Sequence, residues 1–414
     1  MGILRAVALK GLATRGILDH MSFHHVDFSN TRIAYAHKSL ADLRRSLRIF
    51  HLLSKPWLSK LGSRLVGQML KWHVPITPAV KPTLFKQFCG GTSIQNCKSV
   101  VDHLAKFGVG TVLDYGSEGR RSEATRDHTL REVLKSVEVA ARTPHIKFAV
   151  IKVTGLSRIG LLETLSLNAS LSPREDQEWR RALKRVETVC DRCEYSRVPL
   201  FVDAEESWVQ PAIDRLVLDQ MKQRNKKKAL VYTTLQMYKT TALKQLESLM
   251  AQAKKEGFVL GLKLVRGAYL EKERERSLAL RLPSPVFETK AETDAAFDQA
   301  LALCIQNLDH VALCAGTHNE KSCARLMELM DRQKISESDP RVEFTQLYGM
   351  ADHVTFNLAH AGYQTSKYVP YGPVRTIMPY LIRRAEENAS ITGNVRHEIT
   401  LLKAELQRRN RSGI

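Results

Sequence analysis

The sequence predicts an α/β protein built as a (β/α)8 barrel of the TIM type, with a helical N-terminal extension. Three observations carry this reading. From about residue 105, short apolar runs alternate with longer, charged segments of helical pattern, and eight such runs occur. Each run is continuously apolar, as parallel strands covered on both faces must be. No GxGxxG opens a helix after a strand, so the dinucleotide fingerprint of an open Rossmann sheet is missing. The chain of 414 residues, 43% hydrophobic, is long enough for the roughly 250 residues of one barrel plus an extension.

The runs are 111–115, 148–156, 199–206, 230–238, 259–269, 311–319, 342–350 and 367–372, inside a barrel domain expected over 105–395. What precedes it is different in charge. Residues 1–100 hold 15 Lys and Arg against Asp19, Asp27 and Asp42, so this stretch carries +12 of the net +20. Residues 1–20 form a candidate targeting segment, with Arg5, Lys10 and Arg15 and no acid before Asp19. That composition suits a mitochondrial leader (matrix, at the inner membrane) and equally a basic bacterial N-terminus on a cytoplasmic protein at the membrane face.

Residues 21–104 read as a basic helical arm, and 396–414 as a basic C-terminal helix or tail. Within 38–75, Trp57, Leu58, Leu61, Leu65 and Met69 recur at helical spacing among Lys55, Lys60, Arg64 and Lys71. Such a stretch either packs on the barrel or lies on an anionic bilayer. No apolar run reaches the ~18 residues of a membrane-spanning helix. A basic excess also suits nucleic acid, but that predicts aromatic residues interleaved with the basic stretches, and no such motif occurs. Seven scattered cysteines exclude a disulfide framework; Cys190 and Cys193 form one CxxC inside a helical pattern, read as two packed thiols.

Active sites of such barrels lie at the C-terminal ends of the strands. There the sequence places Lys152, Asp203, Gln236 with Tyr238, Lys263 with Arg266 and Tyr269, Thr317-His318-Asn319, and Tyr368, with Arg383-Arg384 on the following helix. Charges in buried strands are expensive unless paired. Lys152 and Asp203 could be a structural pair, yet polar ends recur on six of the eight runs, which favours a site. Lys152, Lys263, Arg266, Arg383 and Arg384 make the cluster cationic, suited to a carboxylate or phosphate, and Tyr269 and Tyr368 add flat apolar faces. His318 fits a cofactor contact better than an acid or base, and Gly90-Gly91 a turn better than a phosphate loop. Residue chemistry alone leaves the reaction open, a Schiff-base lyase using Lys152 included.

The ordered motifs narrow it. Lys152, Asp-Ala-Glu-Glu (203–206), Gln236-x-Tyr238, Leu-Val-Arg-Gly-Ala-Tyr (264–269), Thr317-His318-Asn319, Leu-Tyr-Gly-Met (347–350), Tyr368-Val-Pro-Tyr-Gly372 and Arg383-Arg384-x-x-Glu387-Asn388 resemble the proline dehydrogenase family from about residue 84 to 390. Residues 85–91 and 113–115 resemble its single-function members. The resemblance implies non-covalent FAD and oxidation of L-proline to Δ1-pyrroline-5-carboxylate, the first step of proline catabolism to glutamate. It also implies a quinone acceptor, hence peripheral contact with an anionic membrane, and no nucleic acid.

By the same pattern Arg383, Arg384 and Lys152 hold the substrate carboxylate, and Tyr368, Tyr269 and Leu347 pack on its ring. Asp203 supports Lys152. Gln236, Lys263, Val265, Gly267, Lys290, Thr293, Thr317, His318, Asn319 and Glu387 match cofactor contacts. Some members carry Arg at the position of Lys263. The role of a glutamine one place before Gln346 in the fused enzymes does not carry over. Relatives that prefer 4-hydroxyproline have a small residue where this chain has Tyr368, whose ring would exclude a hydroxyl at C4; the expected substrate is proline, with 4-hydroxyproline the alternative.

Overall fold

The computed structural model describes residues 26–55, 80–116, 122–390 and 392–412, with side chains described up to Arg384 and again from Val395. Eight parallel strands close a barrel in chain order: β1 (Gly110–Tyr115), β2 (Ile146–Ile151), β3 (Leu200–Val202), β4 (Val231–Gln236), β5 (Leu260–Val265), β6 (Val311–Gly316), β7 (Val342–Leu347) and β8 (Thr365–Tyr371). β8 returns to β1 with Val112 opposite Tyr368 and Asp114 opposite Pro370. Each expected run contains or overlaps one strand. Most strands stop earlier than their run does, because the polar end of the run leaves the ladder. β5 ends at Val265, and Arg266 to Tyr269 form the loop, with Gly267 at φ +136°. β3 keeps only three residues, and beyond it the Asp203 carboxylate turns into the barrel end while Glu205 and Glu206 turn to Thr154 and Lys272.

The lumen is filled, not open. Phe148 stacks on Phe201 with centroids 4.1 Å apart, and Tyr232 meets both rings edge-on at 5.6 and 5.4 Å. With Val112, Val150 and Cys314 these rings plug the barrel, and Phe201 lies beneath the polar end. Nearer the N-terminal ends, Lys147 is 2.9 Å from Glu343 and 2.7 Å from Gln364.

The outer helices follow ordinary sequence signals. The helix Pro173–Ser196 starts with Ser172 and Glu175 in a capping box and Pro173 in its first turn, and ends at Arg197 in the left-handed region (φ 55°). Its inner stripe includes Val186, Val189, Cys190 and Cys193. Both thiols are free and buried, and burial pushes that of Cys190 up to about 12, so the CxxC is packing. Gly90 and Gly91 lie along the end of β8. Gly90 N–H donates to Pro370 at 2.9 Å, and a Cβ on Gly90 would come within 2.5 Å of Val369. This is a close backbone approach rather than a phosphate loop.

The arm helix Leu40–Leu53 buries Leu43, Ile49, Phe50 and Leu53. Leu43 and Phe50 meet Leu401 and Leu402 of the C-terminal helix Thr392–Ser412, while Ile49 and Leu53 meet Ile377 and Leu381 of the helix Val374–Ser390. Arg409 ties the two ends of the chain by donating to the carbonyls of Tyr35 and Lys38, each at 2.7 Å. Residues 40–53 therefore spend their apolar stripe on packing, which removes them from the expected membrane-contact segment 38–75. Trp57 to Lys71 and the candidate targeting segment 1–20 lie outside the described residues. No helix among the described residues is long and apolar enough to cross a membrane.

Candidate active site

A cavity of about 300 Å³ opens at the C-terminal ends of the strands. Among its lining residues are Lys152, Asp203, Gln236, Lys263, Val265, Gly267, Tyr269, Lys290, Thr317, His318, Asn319, Leu347, Tyr368, Arg383 and Arg384. Every residue expected to touch substrate or cofactor is thus in its wall except two, while Tyr238 of the Gln236-x-Tyr238 motif lies outside the wall with its ring against Gly267. Thr293 sits in the first turn of the helix Lys290–Gln306, its hydroxyl turned back to the Thr289 carbonyl at 3.4 Å. The side chain of Glu387 lies outside the described residues.

The centre of the site is a buried charge network, each member carried by a different strand or its end. Asp203 accepts from Lys152 at 2.9 Å, from the Tyr368 hydroxyl at 2.7 and 2.8 Å, and from Lys263. Lys152 also donates to both oxygens of Asp114, at 3.1 and 2.9 Å. Burial alone would raise the Asp203 carboxyl, but Lys152 and Lys263 outweigh it and hold the group below the usual carboxylate range. Burial, then the charges of Asp203 and Asp114, push the Tyr368 phenol far above its ordinary value, so it stays a hydroxyl and a donor. The Lys263 ammonium lies over the rings of Tyr368 and Phe201, 4.6 and 5.0 Å from their centroids.

Lys152 and Asp203 are therefore paired, as the structural reading allowed, and still face the cavity. Asp114 was not among the expected site residues. Its signal was the one that marked Lys152: a charge inside an apolar strand run. Two carboxylates clasp the Lys152 ammonium, whereas a Schiff-base lysine needs an apolar or cationic setting that frees its amine.

The Asp-Ala-Glu-Glu motif divides its work. Asp203 enters the site, Glu205 accepts from Thr154 N–H at 3.0 Å behind β2, and Glu206 pairs with Lys272 at 2.8 Å. Arg266 is less available as an anion ligand than its sequence position suggested. It bonds Asp294 and the Thr317 hydroxyl, both at 2.6 Å, and Ser322 at 2.9 Å, with its guanidinium over Phe297. Lys290 also pairs with Asp294. The wall's cationic excess survives the two aspartates, since Arg383 and Arg384 lie on the helix over the cavity mouth. Arg383 is 5.8 Å from the Tyr269 ring centroid, and Arg384 lies over Tyr380 at 5.1 Å.

Thr317, His318 and Asn319 each do a local job. Asn319 caps the helix Glu320–Arg332, accepting from Lys321 N–H at 2.9 Å and Ser322 N–H at 3.3 Å. His318 Nε2 accepts from Leu347 N–H at 3.0 Å, which places the ring proton on Nδ1. Burial, with Lys367 and Arg384 nearby, lowers its pKa to about 3, so it is a neutral positioning group for Leu347 and no acid at neutral pH. Gln236 bridges Glu205 O at 2.8 Å and Ala268 N–H at 3.3 Å, holding the β5 loop. In that loop Gly267 is obligatory, since a Cβ would sit 2.6 Å from the Tyr238 ring at a φ that side chains avoid.

Residues 97–397 match the family model described as proline dehydrogenase. The chain is 36% identical over 324 residues to the carbapenem antibiotics biosynthesis protein CarD of Pectobacterium carotovorum subsp. carotovorum, covering 78% of this chain and 83% of that one. It is 30% identical over 426 residues to mitochondrial proline dehydrogenase 1 of Dictyostelium discoideum, covering 92% and 74%. It is 29% identical over 415 residues to hydroxyproline dehydrogenase of Xenopus laevis, covering 90% and 88%. Among solved structures, proline utilization A (PutA) of Bdellovibrio bacteriovorus matches with a TM-score of 0.70 at 20% identity, over 89% of this chain and 39% of that one. This chain thus spans about two fifths of the PutA protein, and the likeness is one of fold. With a family model running from before β1 to beyond the helix that carries Arg383, the chain belongs to the proline dehydrogenase family and is an oxidoreductase of that kind.

Proposed function

We propose that the chain oxidises L-proline to Δ1-pyrroline-5-carboxylate with FAD and passes the electrons to a quinone, as the first step of proline catabolism to glutamate. The observation that carries this reading is the meeting, in one cavity, of an arginine pair with two tyrosines and a leucine above a buried Lys–Asp network. A small ring bearing a carboxylate fits those walls. Arg383 and Arg384 hold the carboxylate in bidentate fashion. Lys152 contributes less than the resemblance implied, because much of its donor capacity is committed to Asp114 and Asp203. Tyr269, Tyr368 and Leu347 flank the ring, and Asp203 fixes the Tyr368 hydroxyl, hence the ring plane.

The donor set suits a flavin. Gln236, Lys263, Thr317, His318 and Asn319 offer hydrogen-bonding edges, Val265 and Gly267 an apolar face, and Lys290 a charge for phosphate at the rim. Thr293 and Glu387 complete the expected set at the cofactor tail. When bound, FAD supplies the two-electron acceptor. The protein's own part is to orient the substrate and exclude water.

The barrel (105–395) is the catalytic unit in this reading, with 21–104 as its arm, 396–414 as its closing helix and 1–20 as a targeting segment. A mitochondrial location at the inner membrane is the favoured setting, with a bacterial membrane face as the other.

The relative named for hydroxyproline raises the second substrate. Tyr368 favours proline in this reading: by the family pattern its ring packs on C4 of the substrate, where a hydroxyl would need room, and Asp203 holds its hydroxyl. Steady-state assays of FAD-loaded protein with a soluble dye test both points. Wild type should turn over L-proline and discriminate against trans-4-hydroxyproline. Tyr368→Ser should lower kcat/KM for proline at least roughly tenfold and narrow that preference. Unchanged selectivity in the variant would overturn the role of Tyr368.

A further inference from the structure

Away from the cavity, three helices bring together side chains that the oxidation does not use. Glu320 opens the helix Glu320–Arg332, His353 stands in the first turn of Asp352–His360, and His397 lies on the C-terminal helix Thr392–Ser412. One oxygen of Glu320 lies 2.9 Å from His353 Nε2 and 2.8 Å from His397 Nε2. The rings meet edge-on, with centroids 5.3 Å apart. All three candidate ligand atoms fall within 4.8 Å of one another. We propose that Glu320, His353 and His397 form a binding site for a zinc-type divalent cation, which clasps the C-terminal helix to the barrel.

Four observations support a cation rather than a hydrogen-bonded cluster alone. The donor set is two imidazoles and one carboxylate, which suits Zn²⁺ and its neighbours and not the oxygen-seeking Mg²⁺ or Ca²⁺. Tetrahedral ligands at ~2.0–2.1 Å from zinc lie about 3.3 Å apart, so each nitrogen need recede from the carboxylate by only about half an ångström. His353 is buried, and its other nitrogen faces the buried Glu398 carboxylate at 3.6 Å, so a small approach would make Glu398 the outer-shell partner that orients a metal-bound histidine. Glu398 is held in its turn by Tyr35 at 3.3 Å and by the backbone N–H of Ala351. Finally, Glu320 and His397 keep 35% and 45% of their side-chain surface, which leaves an approach for the ion and room for a water as fourth ligand.

The location gives the ion a structural role. None of the three residues lines the active-site cavity. Glu320 directly follows Asn319, while His397 belongs to the helix after the one that carries Arg383 and Arg384. A bound cation would pin the C-terminal helix against the β6 end of the barrel. Each Nε2 must give up its proton as the metal enters, to Nδ1 by tautomerisation where the ring is neutral and to solvent where it is charged.

The test uses metal-free, tag-free full-length protein titrated with Co²⁺ as a visible probe for the zinc site, with proton release and thermal midpoint followed in parallel. Wild type should bind one ion per chain, develop the strong visible absorption of four-coordinate Co²⁺, lose it on adding Zn²⁺, and melt at a higher temperature with Zn²⁺ than without. His397→Ala, a half-exposed position, should weaken binding at least roughly tenfold and abolish the thermal shift. Glu320→Gln should do the same and serves if the first variant folds poorly. Absence of four-coordinate absorption in wild type, or equal uptake by wild type and variants, would overturn the site and leave a hydrogen-bonded clasp.

Discussion

Asp203 carries more of this site than any other side chain, since two ammonium groups and one phenol converge on it. Breaking a buried pair strands the partner's charge, at a typical cost of 3–5 kcal/mol. Asp203→Asn strands Lys263 and also takes one of its two carboxylates from Lys152, whereas Asp114→Asn takes one carboxylate from Lys152 and leaves Lys263 paired. Urea midpoints should therefore fall further for Asp203→Asn than for Asp114→Asn, and kcat/KM for proline should follow the same order. The pH dependence has a definite sign. A carboxyl held low in the folded state contributes stability that is present above its unfolded value of ~3.9 and is lost as pH falls below it. The acid limb of the stability profile should be shallower in Asp203→Asn than in wild type. Lys152, Asp203 and Tyr368 were legible in the sequence because charged and aromatic residues at strand ends stand out against apolar runs. Asp114 carried the same signal in β1 and went unweighted. That Arg266 spends itself on Asp294, and His318 on a backbone N–H, was not legible, because those partners lie far along the chain or on the backbone.

At the scale of elements, all eight strands could be read from the apolar runs, while their ends could not. A run records burial, and burial continues into the loops that turn over the site, so β3 and β5 looked longer than they are. Other organising contacts left no pattern at all. Asn225, fully buried after the helix Gln210–Arg224, accepts from Leu230 and Val231 N–H at 3.0 and 2.9 Å and donates to the carbonyls of Val231 and Val259 at 2.8 and 2.9 Å. It joins the starts of β4 and β5 and uses both its amide oxygen and nitrogen twice. Asn225→Leu strands those backbone groups, each costing about 1–3 kcal/mol when buried without a partner. The variant should lose on the order of 3–5 kcal/mol in urea unfolding, far more than its distance from the cavity would suggest. A loss within ~0.5 kcal/mol of wild type, the range of ordinary surface changes, would contradict this account of the barrel floor.

For the whole molecule, the uneven charge is the feature that packing does not absorb. The helix Leu40–Leu53 is committed to the C-terminal helix, so the candidate membrane contact narrows to the basic stretch around Lys60, Arg64 and Lys71. Replacing these three with Glu should weaken binding to anionic vesicles and leave dye-coupled turnover unchanged; equal vesicle binding would exclude that stretch. Beneath this lies the claim on which the rest depends, that the cavity above Asp203 oxidises proline through bound FAD. It is tested most directly by adding L-proline anaerobically to the FAD-loaded protein and recording the flavin spectrum. The account predicts that proline bleaches the yellow colour, and that variants at Arg383 and Arg384 need far more proline to do so. A protein that takes up no FAD, or whose bound flavin stays oxidised under saturating proline, would contradict it.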